Sequence, residues 1–210
     1  MIQIIECEQN SPEWFEARKG LVTASEFKTI IGIKKDAKDK KTRQTYMRKL
    51  AGELITGEPM PAGFQSAAME RGKIMEDEAR DYYSLVKSVE PRRVGVVRDG
   101  IFMCGASPDS LIDEDGGLEI KTAEPHIQLE RLESGELPPE HLFQVHGNIW
   151  VAKRKWWDFM SYWPKMPPLI VRVMRDEAIC KQIEDAVVEF NKELYTIVNK
   201  YGGQSAKVAA

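Results

Sequence analysis

The sequence predicts an α/β fold, with helices flanking a single mixed central β-sheet. Three observations predict it. Segments of helical period come first, a run of short strand-like segments fills the middle, and a helix, two strands and a long helix close the chain. A chain of 210 residues, 42% hydrophobic and 30% charged, can bury one sizeable core and has the balance of an ordinary soluble globular protein. We read residues 1–210 as one domain, with 202–210 as a flexible tail.

Taken in order, Thr23-Ala-Ser-Glu26 has capping-box spacing and opens a short helix through Phe27, Ile30 and Ile31 that stops at Gly32. Residues 34–43 carry many charges and read as a mobile basic loop. Tyr46, Leu50, Leu54 and Ile55 form the stripe of a second helix ending at Gly57. After Pro59 and Pro61, Ser66–Leu85 reads as a long helix, with Ala68, Gly72, Met75, Ala79 and Tyr82/Tyr83 near helical spacing. Arg93–Arg98, Ile101–Gly105, Ser110–Asp113 and Leu118–Thr122 read as strands, the last two joined by the turn residues of 113–117. Pro138 and Pro139 start a helix over about His141–Ala152. Trp156–Tyr162 and Leu169–Met174, bounded by prolines, are β-branched or aromatic and predict strands. Asp176–Tyr201 is an amphipathic helix with Ile179, Ile183, Val187, Phe190, Leu194 and Ile197 on one face.

Composition excludes some functions. A net charge of −3 gives no global basic field, which argues against a protein that coats nucleic acid but not against an enzyme with one basic groove. Cys7, Cys104 and Cys180 are odd in number and lack CxxC spacing, so they read as free thiols in a reducing compartment. No signal-peptide pattern and no apolar run near the length of a membrane span is present, which predicts a cytoplasmic protein without membrane partners. GxGxxG and GxxxxGK[ST] are absent, so no dinucleotide or nucleoside triphosphate site is indicated.

Chemistry concentrates at the hairpin. Strand alternation puts Glu119 and Lys121 on one face and Ile120 on the other, and Asp109 at the start of the facing strand can lie beside them. Two carboxylates and an amine on one wall suit metal-assisted hydrolysis: hard oxygens hold Mg²⁺, and the lysine places or deprotonates water. The hairpin taken alone equally describes turn chemistry and the wet face of an antiparallel strand. Pro108-Asp109 and Glu119-Ile120-Lys121 resemble the signature of the PD-(D/E)XK nucleases, which implies a restriction-endonuclease-like core.

Three further segments accompany it: Trp14-Phe-Glu-Ala-Arg-Lys-Gly-Leu-Val-Thr-Ala-Ser-Glu26, Arg71-Gly-Lys-Ile-Met-Glu-Asp-Glu-Ala-Arg80 and Phe143-Gln-Val-His-Gly-Asn-Ile-Trp150. Their order and content resemble the phage lambda exonuclease (YqaJ-type viral recombinase) family from about Trp14 to at least Tyr162. The resemblance implies a Mg²⁺-dependent 5′→3′ exonuclease, with Mn²⁺ able to substitute. It would digest one strand of linear duplex DNA to leave 3′ overhangs for phage-type recombination in a bacterial host, from a phage or prophage. It also implies a homotrimeric ring on duplex DNA with free ends, and a single-strand annealing protein as partner.

Residue by residue, the resemblance implies Asp109, Glu119, Glu76 and the Ile120 carbonyl as metal ligands, Lys121 as catalytic lysine and Gln144 as the motif glutamine beside the reacting phosphate. Arg18, Ser25 and Ser107, with Gln144, match the residues that hold the DNA 5′-phosphate; arginine suits a forked phosphate contact. Alone, Glu76 also reads as one exposed acid of Glu76-Asp77-Glu78, and Ser25 as a first-turn helix residue. Lys35 stands where the family can carry a track-reading arginine, so that contact departs from the pattern. Met69 sits near the strand-parting wedge and equally fits a helix core. His126, His141 and His146 share no ligand spacing, and the aromatics from Trp150 to Trp163 read as core and subunit packing. Two alternatives stay open: a structure-specific or restriction-like endonuclease of the same superfamily, and an inactive DNA-end-binding scaffold.

Overall fold

Two mixed four-stranded sheets carry the fold. The computed structural model describes residues 1–31, 37–60 and 67–202. In chain order the elements are β1 (Ile2–Ile5), α1 (Pro12–Arg18), β2 (Val22–Thr23), α2 (Phe27–Ile31), α3 (Ala37–Thr56), α4 (Ala67–Lys87), β3 (Val96–Asp99), β4 (Cys104–Ala106), β5 (Ser110–Ile112), β6 (Gly116–Thr122), α5 (Pro125–Ser134), α6 (Leu142–Ala152), β7 (Trp156–Tyr162), β8 (Leu169–Met174) and α7 (Glu177–Tyr201). One sheet runs β1-β3-β4-β2 and the other β5-β6-β7-β8. The mixed α/β class is as the sequence predicts, but the expected single sheet is divided. Outside the named strands, the Arg92–Leu111 bridge joins the segment before β3 to β5.

The core forms on both faces of the second sheet. Phe27, Leu50, Val145, Ile149, Trp157, Phe159, Ile183, Val187, Phe190 and Leu194 gather α2, α3, α6 and α7 on one side. Ala79 and Tyr83 of α4 pack on Ile112, Leu118, Ile120 and Met160 on the other. Each fully buried large side chain contributes roughly 1.5–3 kcal/mol. Trp150, Trp157, Phe159 and Tyr162 are buried, in keeping with the core reading of the aromatic run. The α7 stripe is set one residue off the expected one at each end, because Cys180 and Val198 are buried there. Asp176 caps that helix, accepting from the amides of Ala178 and Ile179 at 2.8 and 3.1 Å.

The hairpin is pinned by groups the turn composition hides. Asp113 takes the left-handed conformation at φ 44°. Gly116 and Gly117 belong to β6, where a Cβ would stand 2.0 Å from the Trp156 ring and 2.3 Å from the Trp157 ring. These glycines let β6 lie against β7 rather than make the turn. From α6's end, Arg154 Nη1 donates to the carbonyls of Ile112, Asp113 and Gly116.

Several local readings change. The described part of 34–43 is helical from Ala37, so that stretch is the first turns of α3 rather than a loop. Lys38, Lys40 and Lys41 are exposed on it, whereas Arg43 is buried and forks onto Glu193 of α7 at 2.8 and 2.7 Å. Thr23 forms no capping bond, because its hydroxyl faces Arg18 instead. Residues 101–103 form a turn, with Met103 at φ 48°, before β4 begins. β1, α1, β2 and α5 are additional elements. Gly202 ends α7, and the rest of the expected tail, 203–210, lies outside the described residues. Among the described residues no helix is long and apolar enough to cross a membrane.

Candidate active site

Pairing places the hairpin's chemistry. β5 and β6 run antiparallel with Ser110 opposite Leu118, so Asp109 enters just beside Glu119. Asp109 Oδ2 accepts from the Ile120 amide at 2.6 Å, which fixes one carboxylate to the backbone between Glu119 and Lys121. Leu118 and Ile120 point into the α4 layer, so Glu119 and Lys121 face the other side. There Glu119 is 1% exposed, which overturns the wet-face reading of this strand.

Burial of that carboxylate is compensated by three donors. Lys121 Nζ and Gln144 Nε2 each donate to Glu119 Oε1 at 2.5 Å, and Asn148 Nδ2 donates to Oε2 at 2.8 Å. Gln144 and Asn148 stand one turn apart on α6, whose Val145 and Ile149 are locked in the core. Asn148 was not singled out from the sequence, although its i,i+4 spacing from Gln144 carried the signal.

α4 supplies the remaining wall. Glu76 Oε1 pairs with Arg80 Nη2 at 2.5 Å, and the same nitrogen reaches the Asp109 carbonyl at 3.3 Å. Arg80 Nε donates to Ser110 Oγ, so this buried arginine ties helix to hairpin. It too escaped the sequence reading. A cavity of about 370 Å³ opens on Glu76, Arg80 and Asp109 from the side of Glu8 and Gln9.

Electrostatics at the wall are strained. Burial, then the charges of Glu119 and Glu76, hold the Asp109 carboxyl well above the usual carboxylate range. Burial works against the Lys121 ammonium, yet Glu119 and Asp109 outweigh it and raise its pKa. The cluster carries an excess of negative charge that one ammonium does not neutralise. Among the described residues no three His, Cys, Asp or Glu side chains form a metal-holding group by themselves. The donor set that the resemblance implies has three such side chains, Asp109, Glu119 and Glu76, with the Ile120 carbonyl; of these, Glu76 is turned onto Arg80.

The second cluster begins two residues before Asp109. Arg18 Nη1 donates to Ser107 Oγ at 2.6 Å and Nη2 to Thr23 Oγ1 at 3.2 Å. Its guanidinium lies 4.2 Å over the Trp14 ring, whose Nε1 donates to Ser107 Oγ and the Gly95 carbonyl. Ser25 Oγ lies 3.4 Å from Thr23 Oγ1, and Tyr46 OH accepts from the Thr23 amide. Trp14, Arg18, Thr23, Ser25 and Tyr46 line a cavity of about 180 Å³ with Glu26, Lys49 and Glu53, and Ser107 reaches it through its bond to Arg18. Burial lowers the Arg18 pKa, the mark of a cation drawn out of water. Arg18, Ser25 and Ser107 thus come together with Trp14 and Thr23 of the same quoted segment, and Tyr46, read from the sequence as part of a helix stripe, joins them.

Of the other expected residues, Lys35 lies outside the described ones, as does the Met69 side chain, although Met69 is on α4. His126 is exposed beside Glu124, and His146 is buried with Nδ1 unpartnered among the described residues. His141 stacks on Phe159 with its ring centroid 5.0 Å away.

Fold and site together define a mixed α/β protein with a buried carboxylate–lysine wall beside a polar pocket that holds Arg18 and Lys49 together with Glu26 and Glu53. The chain belongs to the YqaJ-like viral recombinase domain family, whose model matches residues 13–155. The alkaline exonuclease LHK-Exo from Laribacter hongkongensis superposes with a TM-score of 0.80 at 33% identity, over 95% of this chain and 100% of that one. LHK-Exo in complex with dAMP gives 0.81 at 32% identity over the same shares. A phage-related exonuclease from Haemophilus somnus 129PT shares the fold, with a TM-score of 0.55 at 14% identity over 84% of this chain and 95% of that one. No curated protein sequence matches the chain.

Proposed function

We propose that this chain is a metal-dependent exonuclease that digests one strand of linear duplex DNA from its 5′ end and leaves 3′ overhangs for phage-type recombination. The observation that carries this reading is the junction at Ser107–Asp109. There the Arg18–Ser107 pair, which we read as the phosphate contact, stands within about 7 Å of chain from the carboxylate wall. An enzyme that starts from a terminal phosphate needs those two features side by side. Family membership and the likeness to LHK-Exo, an alkaline exonuclease, support the same reading.

Asp109, Glu119 and the Ile120 carbonyl are hard oxygen donors suited to Mg²⁺, or Mn²⁺ in its place, with Glu76 alongside. A bound divalent ion would supply charge neutralisation and polarise the phosphate. Around it, Lys121 Nζ donates to Glu119 and offers its remaining protons to water or a phosphate oxygen. Gln144 holds Glu119 and faces the same space. Arg18, Ser25 and Ser107 grip the 5′-phosphate. We assign the whole of 1–210 to one nuclease domain, acting as a homotrimeric ring in the cytoplasm with a single-strand annealing partner; light scattering at three times the chain mass tests the ring. The chemistry is tested by digesting end-labelled linear duplex and closed circles with Mg²⁺ and with EDTA. Mg²⁺-dependent release of mononucleotides from linear ends alone is the expected result. Ready nicking of closed circles would favour an endonuclease of the same superfamily, and binding of ends without cleavage an inactive scaffold.

A further inference from the structure

Asn148 has an environment that its position does not require. It is 1% exposed, in the middle of α6, where asparagine is a poorer helix former than alanine and a buried amide costs free energy unless bonded. Its Nδ2 donates to Glu119 Oε2 at 2.8 Å. Glu119 Oε1 already receives two donors, Lys121 and Gln144. A carboxylate oxygen offers about two acceptor directions, so among the described residues Oε1 is filled while Oε2 keeps one open.

We propose that Asn148 is a positioning residue for the metal site: it fixes the Glu119 carboxylate so that Oε2 presents its open direction to a divalent cation. Without that amide, Oε1 keeps its two donors but nothing holds Oε2, and the carboxylate gains a range of tilt about its terminal bond, a broad torsion with little intrinsic preference. The open direction of Oε2 is then no longer held in one place. The inference rests on the metal-dependent reading and adds to it a residue outside the expected ligand set.

Calcium alone is the probe, since binding can be read without turnover. Isothermal titration of the full chain with Ca²⁺, well below the melting temperature, compares wild type with Asn148→Leu, Asn148→Ala and Asn148→Ser, each checked for fold by circular dichroism. Removing a group that orients a metal ligand costs on the order of 10–100-fold in affinity, so the Leu and Ala variants should weaken Ca²⁺ binding by about tenfold or more. Ser retains a donor hydroxyl and should recover part of the loss. A merely structural role would lower the melting temperature and leave Ca²⁺ affinity unchanged. Wild-type affinity in Asn148→Ala, or equal losses in Ser and Ala, overturns the proposal even if the Leu variant fails to fold. Absence of Ca²⁺ binding in wild type overturns the metal-dependent reading with it, whereas parity among variants overturns this inference alone.

Discussion

Arg18 is tied to Asp109 through a single serine. Its Nη1 lies 2.6 Å from Ser107 Oγ, and Ser107 precedes the carboxylate by two residues along a segment held by Gln9 at the Pro108 carbonyl. The pocket and the wall therefore share a rigid spacing set by covalent geometry rather than by a mobile loop. A phosphate seated on the guanidinium has a fixed offset from the carboxylates, which is what an enzyme counting from an end requires.

Arg18→Ala should accordingly erase most of the preference for 5′-phosphorylated over 5′-hydroxyl duplex ends. A hydrogen bond to a charged group contributes about 1.5–3 kcal/mol, so the loss in kcat/KM on phosphorylated ends should be about 10–100-fold. Arg18→Lys should recover little, because an ammonium cannot fork between Ser107, Thr23 and a phosphate. Ca²⁺ affinity should stay at the wild-type value. Equal rates on both ends in the wild-type enzyme would remove the pocket's assigned role.

Lys121→Met tests the amine without changing bulk. Removing a group that steadies transition-state charge or places water should lower kcat by about 10²-fold or more. The pKa of Lys121 is raised, so its ammonium adds stability at every pH below its ordinary value and loses it only at strongly alkaline pH. Across neutral pH it acts as a cation in the unliganded protein. Near wild-type turnover in Lys121→Met would reduce it to a partner of Glu119.

Much of this site was legible because strand alternation is rigid: a Glu-Ile-Lys strand must put its two charged groups together. Arg80 was not legible, since Glu76, Asp77 and Arg80 at helical spacing look like an ordinary solvated face. Only the approach of β5 shows that the arginine is buried on Ser110 and Asp109. Helix α5 escaped for the opposite reason. Its buried residue is Gln128, bonded to Ser161 and Pro167, while Leu129 is 54% exposed, so the apolar stripe that marks a helix is inverted. Division of the strands into two sheets depends on pairings far apart in sequence, such as β1 with β3, which local periodicity does not encode.

Gly117→Ala should destabilise the fold more than Gly116→Ala. Both would drive a methyl into a tryptophan ring, at 2.3 and 2.0 Å respectively. Trp157, beside Gly117, is wholly buried in the core and has nowhere to go. Trp156 lies at the margin, stacked 3.7 Å under Arg172, and can tilt outward. Overpacking of a fixed core site costs about 1–3 kcal/mol. Urea midpoints should fall clearly for Gly117→Ala and less for Gly116→Ala; the reverse order would mean that β6 rather than the tryptophans yields.

His141 sets an acid limit on stability. Burial, with the nearby Lys121 and Arg131 charges, lowers its pKa to about 4, and its ring stacks on Phe159 with Nε2 facing Arg131 Nη2 at 3.3 Å. A depressed folded-state pKa means that the unfolded chain takes up the proton first. The neutral ring's contribution is therefore present above about pH 6.5 and drains away as pH falls from 6.5 toward 4. The slope from this one group is at most about 1.4 kcal/mol per pH unit. Phe159 pairs with Glu119 in the β6–β7 register, so loosening here propagates to the carboxylate wall. His141→Gln keeps an acceptor for Arg131 but cannot titrate. Urea unfolding of the metal-free protein from pH 7.5 to 4 should show a shallower decline for His141→Gln than for wild type over this window. Parallel curves would place the acid sensitivity elsewhere, with His146 the next buried imidazole to remove.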